Sequence, residues 1–121
     1  MTPEARTNAE LFSHVTVMLE ETLRSIRPRA GGVYADATPG GGGHAEGLLE
    51  RSAPDGRVIG VDRDEAALGA ARERLSRFGD RVTLVHGAFA ELRSILDGVG
   101  TPRVDGVIPD LGVNSPQLDR A

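Results

Sequence analysis

Four consecutive glycines occupy positions 40–43, between Asp36 and His44 in the segment DATPGGGGH. Glycine loses more conformational freedom on folding than any other residue, so a run of four needs a structural reason. A short apolar run precedes this glycine block, and a helix-like stretch follows it. Backbone without Cβ atoms, set between a strand and a helix N-terminus, lets a ligand lie against bare amides and the positive end of the helix dipole. The block therefore predicts a ligand-binding loop, and a flexible linker or wide turn is the competing interpretation.

Carboxylates follow the apolar runs and suggest which ligand the loop would bind. Asp62 ends the run VIGVD, where it can accept hydrogen bonds from both hydroxyls of an adenosine ribose. Asp36 precedes the first glycine by four residues and would repel the pyrophosphate of a dinucleotide. A ligand that carries an ammonium group and a sulfonium cation would instead be attracted, and S-adenosylmethionine is such a ligand. The GK[ST] signature of a phosphate-binding loop is absent.

Other side chains near these positions have both a structural and a functional interpretation. His44 either donates a hydrogen bond to a cofactor carboxylate or caps the following helix. Phe89 either covers a face of an adenine ring or anchors the next helix in the core. Asp62 could cap a helix, but Asp64 is better placed for that role. No catalytic base is assigned and no metal site is expected, because the chain has no cysteine and its three histidines lack i,i+4 spacing.

Four short apolar runs begin at nearly constant intervals and predict parallel β-strands. The runs are VYADA (33–37), VIGVD (58–62), VTLVH (82–86) and VDGVI (104–108). Helical patterns precede or separate them, over 15–26, 44–52, 64–77 and 89–97. This alternation predicts an α/β fold with a doubly wound parallel sheet, in which ligands bind beyond the carboxyl ends of the strands at the switch between strands 1 and 4.

Composition limits the kind of protein this can be. The 121 residues, 39% hydrophobic and 26% charged, suffice for one globular domain with a modest core. A formal net charge of -4 and an aromatic content of 3% argue against a broad nucleic-acid surface on this chain alone. No apolar run approaches the length of a membrane span, and the N-terminus lacks a signal-peptide core, so a cytoplasmic location is expected.

Five segments resemble the ribosomal RNA small-subunit methyltransferase H family, also called the MraW family. They are HVTVMLEE, YADATPGGGGHAEGLLE, VIGVDRDEAAL, VTLVHGAFAEL and VDGVIPDLGVNSPQLD. Members of this family use S-adenosylmethionine to methylate the N4 amine of a cytidine in small-subunit (16S) ribosomal RNA. The resemblance implies a Rossmann-like class I methyltransferase fold with sheet order 3-2-1-4. It also implies a cofactor site made of Gly42, Gly43, His44, Asp62, Phe89, Asp110 and Gln117, the last of which only the resemblance suggests.

The sequence departs from the family pattern at four positions, which are Thr16, Pro39, Pro109 and Asn114. Pro109 matters most for the site. It removes a backbone donor at the end of strand 4 and restricts Ile108, which bears on the placement of Asp110. Asp110 and the turn over 114–116 are the sequence's candidates for an acceptor that polarises the attacking amine.

Length is the largest departure, because the family's chains are much longer. Residues 13–121 are expected to form the N-terminal, cofactor-binding half of a methyltransferase domain without its C-terminal strands, after a flexible segment over 1–12. Strand 4 would then be an apolar edge through which two copies could pair, and the chain alone is expected to be inactive. A non-catalytic S-adenosylmethionine-binding fragment or pseudoenzyme and half of a nicotinamide-dependent oxidoreductase are the alternatives.

Overall fold

Four parallel strands form the centre of the computed structural model, which describes residues 23–38 and 40–109. The strands are β1 (Val33–Asp36), β2 (Arg57–Asp62), β3 (Val82–His86) and β4 (Gly106–Ile108). They pair in the order β3-β2-β1-β4. The predicted α/β fold and the sheet order are therefore confirmed, and each strand begins and ends within two residues of its predicted position.

Three α-helices connect these strands: α1 (Gly43–Arg51), α2 (Glu65–Arg74) and α3 (Leu92–Gly98). As predicted, Asp64 caps α2, because its carboxylate accepts a hydrogen bond from the Ala66 amide at 2.8 Å. Residues 23–26 are also helical. The rest of the helix predicted over 15–26 lies outside the described residues, as does the segment 1–12.

Two predicted helices are interrupted by tighter turns. The helix predicted over 64–77 ends earlier, and a 3-10 helix over Ser76–Arg81 follows α2. There the Phe78 amide donates to the Leu75 carbonyl at 3.0 Å, and both side chains are buried in the same apolar cluster. The helix predicted over 89–97 likewise begins as a 3-10 turn, Phe89–Glu91, before α3. Tertiary packing selects these turns, so the helical spacing of the sequence did not reveal them.

Apolar side chains are buried on both faces of the sheet, as continuous apolar strands require. One face, with Tyr34 and Val58, packs against α1 through Leu48 and against α2 through Ala71. The other face packs against α3 through a second cluster, which comprises Ala35, Ala37, Ile59, Val61 and Leu96. No helix among the described residues is both long enough and apolar enough to cross a membrane. The two packed faces fix the strand ends that carry the predicted site.

β4 lies at one edge of the described sheet, beside β1. The Ala37 amide donates to the Ile108 carbonyl at 2.8 Å, so the two strands stay paired to the end of β4. Alternate residues of a strand direct their amides to opposite neighbours, and the nitrogen of Pro109 therefore faces away from β1. The donor that Pro109 lacks is thus on the outer side of β4. Pairing of two copies through this edge stays a prediction.

Candidate cofactor-binding site

Three polar residues end three neighbouring strands and so meet at one edge of the sheet. Asp36 ends β1, Asp62 ends β2 and His86 ends β3. The register pairs Asp62 with His86 directly, while Asp36 lies opposite Gly60, two residues before Asp62. A shallow cleft opens at this edge, lined by Asp36, Thr38, Gly40, Gly42, Gly60, Asp62 and neighbouring apolar residues. The predicted clustering of glycines and carboxylates is therefore present in the fold.

The glycine block is a tight turn that leads into α1. Gly40 and Gly42 have φ values of +128° and +93°, a region that residues with a Cβ atom rarely adopt. Gly42 is the N-cap of α1 and has no side chain with which to satisfy the first amides of the helix. A Cβ atom at position 42 would also lie 3.2 Å from Leu75 Cδ1. The backbone of the block thus packs closely on α2, and Gly42 itself gives α1 no side-chain cap.

Replacing Gly42 with alanine is expected to reduce the free energy of unfolding by about 2 kcal/mol, because the left-handed conformation alone costs L-residues about 1–2 kcal/mol. Chemical denaturation monitored by circular dichroism measures this loss. Gly69→Ala is the matched control, since position 69 lies in α2 and a Cβ atom there meets nothing within 4 Å. This second change should stabilise the protein by about 0.5–1 kcal/mol. Equal effects of the two substitutions would contradict the left-handed conformation of Gly42 as the cause of the loss.

Asp62 joins the glycine block to the end of β2. Its Oδ2 accepts a hydrogen bond from the Gly40 amide at 3.2 Å, and its Oδ1 accepts one from the Asp64 amide at 2.9 Å. A carboxylate offers about four lone-pair sites, so each oxygen can accept a further hydrogen bond. The half-buried side chain thus holds the loop in place and keeps acceptors for two hydroxyls.

Asp36 is almost completely buried, with 5% of its surface exposed. Its Oδ1 accepts hydrogen bonds from both the amide and the hydroxyl of Thr38, at 2.9 and 2.5 Å. Burial raises the pKa of the Asp36 carboxyl above its usual value, although the Thr38 hydrogen bonds and the nearby His44 ring oppose this shift. The Thr38 hydroxyl also lies 3.1 Å from His44 Nδ1. Asp36 therefore holds Thr38 in place through two hydrogen bonds. The sequence analysis did not identify Thr38 as a residue of the site.

The aromatic and histidine side chains of this edge have defined partners. His44 follows Gly43 in the first turn of α1 and pairs with Thr38. Phe89 is half-buried and packs against the apolar cluster under α3, which agrees with its interpretation as a core anchor. A contact of Phe89 with adenine stays a prediction. Asp110 and Gln117 lie outside the described residues. Within the described part of the chain, no group of three or more histidine, aspartate or glutamate side chains could hold a metal ion.

Solved structures with the same topology place the chain among the Rossmann-like methyltransferases. TrmN from Thermus thermophilus superposes with a TM-score of 0.67 at 25% identity, covering 84% of this chain and 30% of that one. A candidate RNA methyltransferase from Pyrococcus horikoshii superposes with a TM-score of 0.62 at 26% identity, covering 89% of this chain and 54% of that one. The fold of the chain is therefore that of the Rossmann-like methyltransferases.

The chain belongs to the MraW methylase family, whose sequence model matches residues 11–121. The ribosomal RNA small subunit methyltransferase H of Pelobacter propionicus is 57% identical over 111 residues, which cover 91% of this chain. The protein of the same name from Sorangium cellulosum is 54% identical over 106 residues, or 88% of this chain. The chain spans about a third of the length of these relatives, 36% and 33% respectively. The predicted family resemblance is confirmed.

Proposed function

We propose that this chain binds S-adenosylmethionine at the carboxyl edge of β1 and β2. We further propose an activity for a protein of the relatives' full length that contains this chain. Such a protein methylates the N4 amine of a cytidine in small-subunit ribosomal RNA, in the cytoplasm. One observation supports the first proposal: Asp62 Oδ2 accepts a hydrogen bond from the Gly40 amide, so the acid proposed to bind the ribose lies against the glycine loop. The relatives named as ribosomal RNA small subunit methyltransferases support the second.

Each part of the cofactor has a proposed set of partners at this edge. Asp62 accepts the two ribose hydroxyls, and Phe89 lies against the adenine ring. Gly42, Gly43 and His44 bind the amino-acid end at the start of α1, where backbone amides are available. The negative charge of Asp62 and of ionised Asp36 favours a cationic ligand over a dinucleotide. Asp110 and Gln117 complete the site in the proposal, on the strength of the family resemblance.

The cofactor supplies a methyl group activated on a sulfonium, and the protein's task is to position it. The exocyclic amine of cytosine is a weak nucleophile, because its lone pair is delocalised into the ring. Orientation of the two reactants and an acceptor for the amine proton are therefore the main contributions that the protein can make. Asp110 is the proposed acceptor or a cofactor ligand. The residues of β1, β2 and the glycine loop bind and orient the cofactor.

Isothermal titration calorimetry tests the cofactor proposal directly. The chain is expected to bind S-adenosylmethionine saturably and to show no heat of binding with NAD at the same concentration. Binding of NAD in preference to S-adenosylmethionine would overturn the proposal in favour of a nicotinamide enzyme. Methyl transfer is tested separately in a protein of the relatives' full length, by incubating small ribosomal subunits with the protein and labelled S-adenosylmethionine. Mass spectrometry of the digested RNA should then show labelled N4-methylcytidine, and labelling at another position would contradict the substrate proposal.

A further inference from the structure

A chain of hydrogen bonds runs behind the glycine block from Asp36 through Thr38 to His44. Asp36 is buried at the end of β1, Thr38 is half-buried two residues later, and His44 is half-buried in the first turn of α1. The Thr38 hydroxyl lies 2.5 Å from Asp36 Oδ1 and 3.1 Å from His44 Nδ1. The proposed cofactor contacts do not account for this arrangement, which links a buried acid to a ring at the edge of the cleft.

The protons available to Asp36, Thr38 and His44 decide the direction of each hydrogen bond between them. A threonine hydroxyl has one proton to donate and two lone pairs. An ionised carboxylate can only accept, so Asp36 Oδ1 accepts hydrogen bonds from both the Thr38 amide, at 2.9 Å, and the Thr38 hydroxyl. With Asp36 ionised, the hydroxyl proton of Thr38 is thus directed to the carboxylate. Toward His44 the hydroxyl can then only accept, so the proton of the ring lies on Nδ1.

This assignment leaves His44 Nε2 with its lone pair. The hydrogen bond at one ring nitrogen decides which nitrogen is protonated, and so what the other can do. Within residues 23–38 and 40–109, the His44 ring forms its hydrogen bond through Nδ1 to Thr38. A neutral ring in this tautomer offers an acceptor at Nε2. Donation from Nε2 to a cofactor carboxylate, one of the two roles predicted for His44, would require the doubly protonated ring.

We propose that Thr38 is a positioning residue that holds neutral His44 in its Nδ1-protonated tautomer, so that Nε2 accepts a hydrogen bond from the α-ammonium group of S-adenosylmethionine. This inference rests on the proposed cofactor function for its ligand. The part of the inference that concerns the His44 tautomer depends only on contacts within the protein. Asp36 contributes by orienting the Thr38 hydroxyl, and its negative charge, when ionised, adds to the attraction for an ammonium group.

Long-range ¹H–¹⁵N NMR of the ¹⁵N-labelled chain at pH 8 tests the tautomer. His44 should show a proton-bearing Nδ1 and an unprotonated Nε2. His86 is an internal control, because its Nε2 lies 2.9 Å from the Arg63 carbonyl and must carry the proton to make that hydrogen bond. Thr38→Val should shift His44 toward the Nε2-protonated form without changing His86, and Thr38→Ser should restore the Nδ1-protonated form. A protonated Nε2 on His44 in the unmodified chain would overturn the inference.

Binding of two cofactor forms tests which end of the ligand His44 contacts. Decarboxylated S-adenosylmethionine keeps the ammonium group and lacks the carboxylate. His44→Ala and Thr38→Val should each weaken binding of both forms by about tenfold, the effect of one hydrogen bond to a charged group. Loss of the effect with the decarboxylated form would assign His44 to the carboxylate and overturn the ammonium contact. If the unmodified chain binds neither form, the proposed cofactor function fails together with this contact, while the NMR result still decides the tautomer.

Discussion

Asp62→Ala is expected to weaken binding of S-adenosylmethionine by about a hundredfold, as measured by calorimetry. Each hydrogen bond from a ribose hydroxyl to a carboxylate contributes about 1.5–3 kcal/mol, and tenfold in affinity corresponds to about 1.4 kcal/mol. Losing two such bonds therefore costs at least about 3 kcal/mol. The substitution also releases the Gly40 amide, which the carboxylate holds in the unmodified chain. Asp62→Asn should give an intermediate loss, because the amide keeps one acceptor oxygen.

Asp64→Ala is the matched control for this prediction. Asp64 lies two residues further on and is exposed, and its carboxylate caps α2 by accepting from the Ala66 amide. Removing it should reduce the free energy of unfolding by about 1 kcal/mol, the usual cost of losing an N-cap. Cofactor affinity should change less than twofold. An equal loss of affinity in the Asp62 and Asp64 variants would mean that both act through the stability of the β2–α2 connection, and the ribose contact would be rejected.

The position of Asp62 could be predicted from the sequence because it depends on strand ends. Apolar runs at regular intervals define the strands, and parallel strands place their carboxyl ends at one edge of a sheet. The same reasoning predicted Asp64 as a cap from its place before a helical pattern. Both predictions use only local chain direction and spacing, which are properties of the sequence.

The role of Thr38 could not be predicted in this way. Its hydroxyl contacts Asp36, two positions earlier, and His44, six positions later, and the two contacts require the glycine block to fold the chain back. A signal was nevertheless present, because an aspartate side chain often accepts a hydrogen bond from the backbone two residues further on. The burial of Asp36 was equally hidden, because the exposure of a carboxylate at a strand end depends on tertiary packing around it.

Asp36→Asn is expected to raise the free energy of unfolding at neutral pH and to weaken S-adenosylmethionine binding by on the order of tenfold. Burial raises the pKa of Asp36 in the folded protein, so folding disfavours the ionised carboxylate relative to the unfolded chain. An asparagine oxygen can accept both hydrogen bonds from Thr38 without carrying a charge. The variant should keep the loop and lose the negative charge that attracts the ammonium and sulfonium groups.

The pH dependence of this effect follows from the sign of the shift. A carboxyl whose pKa is raised on folding destabilises the native state at pH values above that folded pKa, and this penalty disappears as pH falls through it. The stability advantage of Asp36→Asn should therefore be greatest at neutral pH and shrink in acid, as urea denaturation of both proteins at several pH values would show. A destabilised variant with unchanged affinity would make Asp36 a structural hydrogen-bond acceptor only. A variant that is more stable but binds S-adenosylmethionine more weakly would instead mean that the protein retains a destabilising buried charge because cofactor binding uses it.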